Sequence, residues 1–413
     1  MKSKQVSEFN DTRLGELISE MIDHRGKTPK KLGGDWTYYG IPVLSAKNIK
    51  NKKLSRLEEI RFIPKEMADK WMPIKLRQND VLMTSEGATL GEVAILQQEK
   101  NYCIGQRLFA VRCDVELLDP YYFYYFLVSD RGQNEIFARA TGSTVEGLRQ
   151  NEVEDIVIHL PLIEIQKKIG MILRTLDDKI DNLQTQNKIL EQIVQVVFKS
   201  WFIDFDGVKE FEDSELLKIP KGWEVKQIKD FCKVRRGASP RPVGDPKYFG
   251  GTIPWIKIAD VTKLLSPYIF STKETVTEEG AQKSVHLQED SLIMSNSGTV
   301  GKPIFLGRNG CIHDGWLYFQ DIKEISQEFL YFHLLTLTAH LNLIGDGTVQ
   351  KNLNTDMVGE QEIIRPTKDY LDSFLKFSKV FLQTIKENQI KINTLTAIRD
   401  TLLPKLMSGE VRI

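Results

Sequence analysis

The chain is written twice. IPVLSAKNI at 41–49 answers IPWIKIADV at 253–261, a shift of 212 residues, and DVLMTSEGATLG at 80–91 answers DSLIMSNSGTVG at 290–301, a shift of 210. The second match keeps Asp80/Asp290, Ser85/Ser295, Thr89/Thr299 and Gly91/Gly301. Further on, Thr144-Val145 answers Thr348-Val349, and Leu148 and Pro161 answer Leu353 and Pro366, so the copies are collinear with small insertions. A self-similarity with this period is a duplicated domain and excludes a short-repeat solenoid. Each copy runs into a long helical pattern, giving the order globule, helix, globule, helix. Globular parts of about 150 residues each match the commonest domain size, and the 413-residue chain is too long for one core.

From Ile180 the first helical segment places Leu183, Asn187, Leu190, Val194, Val197 and Trp201 at alternating steps of three and four, the seam of a coiled coil. A single polar residue on such a seam fixes register at a cost in stability, which is the reading taken for Asn187. The second segment repeats the spacing through Phe374, Ser378, Phe381, Ile385, Asn388, Ile392, Leu395, Arg399, Leu402 and Leu406, with a more polar seam. Residues 162–203 as one helix make a rod of roughly 60 Å at about 1.5 Å per residue, which cannot bury its stripe alone. The expected architecture is α+β: two homologous globules separated by two long helices paired as an antiparallel coiled coil, a dumbbell with pseudo-two-fold symmetry. The alternatives are that each helix folds back on its own globule, or that both recruit helices of another protein.

Hydrophobic content of 41% and charged content of 27% describe an ordinary folded protein. The opening MKSKQVSEFNDTRLGE carries no apolar signal-peptide core, and no stretch reaches the 18 or so apolar residues of a membrane helix, so an intracellular, cytoplasmic protein is expected. Cys103, Cys113, Cys232 and Cys311 form no Cys-x-x-Cys pair, which points to buried, inert thiols. Cys103 and Cys311 fall at matching places, each before an aromatic strand-like run.

Catalytic motifs are lures. GKT at 26–28 resembles the end of a phosphate-binding loop, but Met21 stands where that loop needs glycine. DPYY at 119–122 is close to the Asp-Pro-Pro-Tyr of amino-methyltransferases but lacks the second proline. Pro120 in the first turn of the helix YYFYYFLV is the better account, and the counterpart EFLYFHLL at 328–335 drops the Asp-Pro. The six histidines have no metal-ligand spacing, and His24 and His313 sit in turn-rich segments. No catalytic residue and no metal site is expected.

The net charge is zero, yet residues 24–77 hold 14 Lys and Arg against five acids. Such a run is compatible with a face that tracks phosphates, and equally with a solvated surface. Both copies carry a turn with cations, HRGKTP at 24–29 and RRGASPRP at 235–242, and a hydroxyl-rich loop after a strand, SEGATLG and SNSGTVG, whose small residues let a phosphodiester approach. A third shared element, GSTVEGLRQN at 142–151 and GTVQKNLNTD at 347–356, either reads base edges or caps a helix. The candidate nucleic-acid contacts are Arg25, Lys27, Lys47, Ser85 and Thr89 in the first copy, and Arg236, Arg241, Lys257, Asn296 and Thr299 in the second. Arg and Asn are the favoured bidentate readers of bases, whereas Lys and hydroxyls more often hold phosphates. Phe198, Trp201 and Phe202 at the end of the first helix are either a partner dock or coil core.

The helical stretch LPLIEIQKKIGMILRTLDDKIDNLQTQNKILEQIVQVVFKSWFIDFD, 160–206, resembles the central conserved region of specificity subunits of type I restriction–modification systems, and TLLPKLMSGEVRI, 401–413, is similar to their C-terminal signature. One departure is that the second helix opens with RPTKDYLDSFLKF where the family carries a leucine-proline and glutamine pattern like that at 160–167. The resemblance implies target recognition domains at 1–160 and 213–366, with spacer helices at 161–212 and 367–413. Each domain would read one half of a bipartite, asymmetric double-stranded DNA site. The coils would set the spacing and dock two methyltransferase subunits, with restriction subunits as further partners. S-adenosylmethionine, ATP and Mg would be used by the partner subunits and none by this chain. From the residues alone two other readings stay open: a self-sufficient methyltransferase or nuclease with a degenerate active site, and a coiled-coil assembly adaptor.

Overall fold

The structure, a computed structural model, describes residues 9–24, 27–142, 145–214, 218–262, 264–345 and 352–413. Two compact units divide the chain, one made of Met1–Lys179 with Leu395–Ile413, the other of Ile180–Thr394.

In the first unit a four-stranded antiparallel sheet runs in the order Ile18–Asp23, Leu108–Cys113, Val81–Thr84, Val93–Ile95. Its central strands Leu108–Cys113 and Val81–Thr84 are buried on both faces and apolar on both for most of their length, as strands covered on both sides must be, whereas the edge strand Ile18–Asp23 is mixed. Val81, Met83, Phe109 and Val111 enter one core, and Leu82, Leu108 and Ala110 enter a second on the opposite face. The alternation follows from the two-residue period of a strand. The first core is closed by the aromatic helix Pro120–Val128 and by Ile169, Leu173, Leu403, Leu406 and Met407 of the two long helices. The second core is closed by a small sheet in which Ile41–Leu44 lies between Arg61–Ile63 and Cys103–Ile104, antiparallel to the former and parallel to the latter.

The second unit repeats the plan. Lys233–Arg236, Trp316–Gln320, Leu292–Ser295, Pro303–Leu306 and Tyr268–Ile269 form the large sheet, and Phe249–Ile256 parallels Gly310–Ile312 in the small one. The register of the repeat is retained: Val43 faces Cys103 and Trp255 faces Cys311. All four cysteines are buried and free, the core role expected of them. Leu292, Met294, Leu317 and Phe319 face the long helices, while Ile293, Ile304 and Trp316 face away.

The long helices are Ile163–Phe202 and Lys368–Met407. Within each unit they pair antiparallel, so the fold-back and foreign-partner alternatives fall. In the first, Arg399 meets Asp177 at 2.7 Å while the later Leu403 and Leu406 share a core with the earlier Ile169 and Leu173. In the second, Asn388 meets Asn187 while the earlier Phe374 packs on the later Phe198, with ring centroids 5.5 Å apart. Much of the seam read from the sequence is buried, with Leu183, Asn187, Val194, Phe374, Ser378, Ile385, Asn388, Ile392 and Leu406 interior. At the end of the first helix, however, burial moves by one position to Phe198 and Phe202, leaving Val197 and Trp201 half-buried, and Leu403 is more buried than Leu402.

Pro120 occupies the first turn of the aromatic helix, and Asp119 Oδ1 accepts from the amides of Tyr121 and Tyr122 at 3.1 and 2.9 Å. The Asp-Pro is therefore a helix cap, a role Ser326 takes in the second copy by accepting from Phe329 N at 3.1 Å. Gly91 and Gly301, kept in both copies, have φ of 79° and 75°, a left-handed conformation that favours glycine.

Candidate nucleic-acid interface

On the face of the first unit turned away from the long helices, a cleft of about 790 Å³ opens between the turn after His24, the segment after Ile41–Leu44, and residues 105–107. Lys27, Lys30, Lys47, Arg61 and Arg107 line it with Trp36. Each part has a local cause. Ser45 and Asn48 form a capping box that turns the chain after the strand and leaves Lys47 exposed on the rim. Arg61 lies over the Trp36 ring at 3.8 Å from the centroid, and Trp36 packs on Trp71 at 6.3 Å, so the guanidinium is held by a cation–π contact. Arg107 pairs with Glu86 at 2.9 Å.

Lys27 is turned inward: its Nζ donates to the carbonyl of Trp71 at 2.8 Å, pinning the turn. Burial, with the Lys27 charge beside it, pushes His24 down to about 4, so its imidazole is neutral at physiological pH. Ser85 is fully buried and Thr89 half-buried, and neither lines the cleft. Arg25, Thr144, Thr348 and Val349 lie outside the described residues.

In the second unit the turn 235–242 and the loop carrying Asn296 converge on Asp314, which lies in the segment equivalent to residues 105–107. Arg236 Nε donates to its carbonyl at 2.7 Å, Asn296 Nδ2 to the same carbonyl at 3.0 Å, and Ser239 Oγ to its carboxylate at 2.8 Å. Arg241 stands 3.6 Å from that carboxylate. Burial works to raise the Asp314 carboxyl, but hydrogen bonds from Ser239, His313 and its own amide outweigh this and hold it below the usual range. Three of the expected contacts, Arg236, Arg241 and Asn296, are thus brought to one point. Asn296 is itself buried, so it orients the loop and offers little to an outside ligand. Lys257 is drawn aside by Glu274 at 2.6 Å, over the Trp255 ring at 5.2 Å, and Thr299 is exposed on the neighbouring loop.

Arg61, Trp36, Arg107 and Asp314 were missed as candidates. Arg61 belongs to the basic run 24–77, which was the available signal; its strand partner is Val43, and its seat over Trp36 comes from the loop before Ile41–Leu44. Asp314 had none, because its role depends on three segments distant in sequence. In the second copy the third shared element caps a helix, Asn354 Oδ1 accepting from Met357 N at 2.8 Å, while 143–144 and 347–351 of the two copies lie outside the described residues. Phe198 and Phe202 are interior, packed with Phe329 and Phe374, so their apolar surface is used within the unit. Trp201 is half-buried. Among the described residues no group of three or more His, Cys, Asp or Glu is placed to hold a metal, and no helix is long and apolar enough to cross a membrane.

Two copies of one fold, each exposing cations on the sheet face opposite paired helices, define a duplicated recognition scaffold. A family model described as the type I restriction modification DNA specificity domain matches residues 7–192 and 220–399, and the chain belongs to this family as a specificity subunit with two target recognition domains. It is 26% identical to the MjaIX specificity subunit of Methanocaldococcus jannaschii, covering 100% of this chain and 98% of that protein. It is also 26% identical to the HindI specificity subunit of Haemophilus influenzae, over 81% and 87% of the two chains. The crystal structure of the type I restriction–modification S subunit from M. genitalium shares the fold, with a TM-score of 0.63 and 16% identity over 98% of both chains.

Proposed function

We propose that this chain reads a bipartite, asymmetric duplex DNA site, one half through each recognition domain, and catalyses nothing itself. The observation that carries this is the unlikeness of two equivalent faces. The first presents a cleft lined by Lys47, by Arg61 seated over Trp36 and by Arg107 paired with Glu86, whereas the second presents Arg236 and Arg241 gathered on Asp314. Equivalent scaffolds with different polar groups read different sequences. Half-sites on one face of the duplex would lie about one turn, roughly 10 base pairs, apart.

Methyl transfer from S-adenosylmethionine, and ATP- and Mg-dependent cleavage, belong in this reading to methyltransferase and restriction subunits. Their docking surface on the first long helix is the exposed apolar stripe Ile189, Ile193 and Val196, with Ile203 just beyond, one position off the buried seam. Unpaired apolar faces of this kind mark partner contacts. Trp201 contributes only the part of its ring left open.

The test is genome-wide adenine methylation in cells carrying the chain with and without its cognate methyltransferase subunit. A bipartite asymmetric motif that appears only with both is the expected result. Methylation without the partner would make the chain catalytic, and a palindromic motif would contradict the reading of unlike half-sites.

A further inference from the structure

Tyr38 and Tyr39 are 99% and 83% exposed, the most open pair of large rings among the described residues. Their turn is nonetheless fixed at both ends. Thr37 N donates to Phe62 O at 2.9 Å, Thr37 Oγ1 donates to Tyr39 O at 2.8 Å, and Asp35 Oδ1 accepts from Trp36 N at 2.8 Å. Gly40 closes the turn at φ 129°, where an added Cβ would stand 2.4 Å from Ile63 O. Rings on so constrained a backbone, fully hydrated, serve no packing in this unit.

The repeat sharpens the point. Tyr38-Tyr39-Gly40 answers Tyr248-Phe249-Gly250 at a shift of 210. In the second unit both rings are half-buried, and Phe249 packs edge-on against Trp255 at 4.8 Å. The first unit holds Val43 where the second holds Trp255, so its aromatic pair has lost that internal partner and faces outward. The same turn begins at Asp35 and Trp36, which line the cleft with Lys30, Lys47 and Arg61.

We infer that Tyr38 and Tyr39 form an aromatic wedge that enters the duplex at the first half-site, opening one base step and stacking on its exposed bases while the neighbouring cations hold the flanking phosphates. The inference rests on the reading that this chain binds duplex DNA. It follows from two physical facts: rings inserted at a step unstack it and stack on the bases, and a positive rim brings the phosphates to them. The cations of the cleft at the start of the same turn favour a polyanion, and a protein partner on the groove of Ile41, Pro42, Leu57, Ile60 and Phe62 at the other end of the turn is the outcome that the assembly readout below separates.

The experiment uses the full chain assembled with its methyltransferase subunits, without cofactor. Duplexes carry the methylation motif with single 2-aminopurines placed throughout the first half-site except at the methylated adenine. The expected result is a fluorescence rise at one step with the wild type and with the Tyr38→Phe, Tyr39→Phe variant. The Tyr38→Ala, Tyr39→Ala variant should show no rise and should bind roughly 10- to 100-fold more weakly, the effect of losing base stacking. Its thermal midpoint should be unchanged, since neither ring packs on the fold. Equal binding and equal fluorescence in the alanine variant would overturn the wedge. So would a loss confined to methyltransferase assembly, which would assign the rings to a protein contact. If the wild-type assembly fails to prefer its motif over a scrambled duplex, the DNA-reading proposal itself falls, and the wedge with it.

Discussion

The amide of Asp119 donates to Gln166 Oε1 at 3.0 Å, joining the cap of the aromatic helix to the first turn of the first long helix. Gln166 is buried, and its Nε2 also donates to Leu117 O and Pro161 O at 3.1 and 3.0 Å. A Cβ on Gly170 would stand 2.7 Å from Asp119 Oδ1, so the next turn must carry glycine. The second copy changes all three together, with Ser326, Leu371 and Leu375 at the equivalent places. The departure of RPTKDYLDSFLKF from the family pattern is thus a coupled replacement of a polar joint by an apolar one. The helix it opens still begins at Lys368.

Gln166→Leu alone should therefore be costly, although leucine is what the second copy uses. It leaves the Asp119 amide and two carbonyls without their partner, each loss worth about 1–3 kcal/mol. Chemical denaturation should show destabilisation of the first unit. A variant as stable as wild type would refute this account of the joint.

Asn388 Nδ2 donates to Asn187 Oδ1 at 3.0 Å on the buried seam, and Asn187 Nδ2 reaches Ile385 O at 3.4 Å. Replacing Asn388 by leucine leaves Asn187 Oδ1 without its donor and should cost about 1–3 kcal/mol of stability, seen as a lower melting temperature. Replacing both should restore or exceed wild-type stability, since a paired polar group is exchanged for apolar contact. Thermal unfolding of the two variants decides it, and equal losses would remove the coupling.

His333 lies inside the second unit with Nε2 donating to Glu362 O at 3.0 Å, and burial holds its imidazole at about 4. Its folded pKa lies below the ordinary 6.5, so between pH 6.5 and about 4 the unfolded chain binds a proton that the native one does not. Stability from this group is present above that window and declines as pH falls through it, by up to about 3 kcal/mol. His333→Gln keeps a donor and cannot titrate. Its acid limb, followed by urea unfolding from pH 7 to 4, should be flatter than that of wild type. Parallel curves would contradict the argument.

The two faces should fail independently. Arg61→Ala removes a cation held by Trp36 and should weaken binding through the first half-site while lowering the salt slope by about 1. Asp314→Ala takes away the acceptor of Ser239 and the ion partner of Arg241, and should weaken the second half-site by roughly 1–2 kcal/mol. Binding to duplexes with one half-site scrambled separates them. Loss of both half-sites in either variant would rule out independent reading.

Periodic and repeated features were legible in the sequence for physical reasons. A seam at steps of three and four states which helix face is buried, and a repeat of the same apolar positions states that two sheets share one register, as the Val43–Cys103 and Trp255–Cys311 pairs do. What a polar side chain does was less legible, because it depends on neighbours far along the chain. Lys27 reads as a phosphate ligand until Trp71 O is beside it, and Asn296 reads as a base reader until Asp314 O takes its amide. The Phe198 and Phe202 pair shows a further limit. At the end of the first long helix Val197 and Trp201 stand next to Phe198 and Phe202, and there only packing tells which pair faces inward.

Because Leu403, Leu406 and Met407 complete the first unit's core, that unit is assembled from two segments far apart in the sequence, whereas Ile180–Thr394 is continuous. A ribosome therefore finishes every residue of the second unit before the first can close. A stop codon near position 395 would spare the later-encoded recognition domain and cripple the earlier one, reversing the usual expectation that a truncation harms what lies nearest to it.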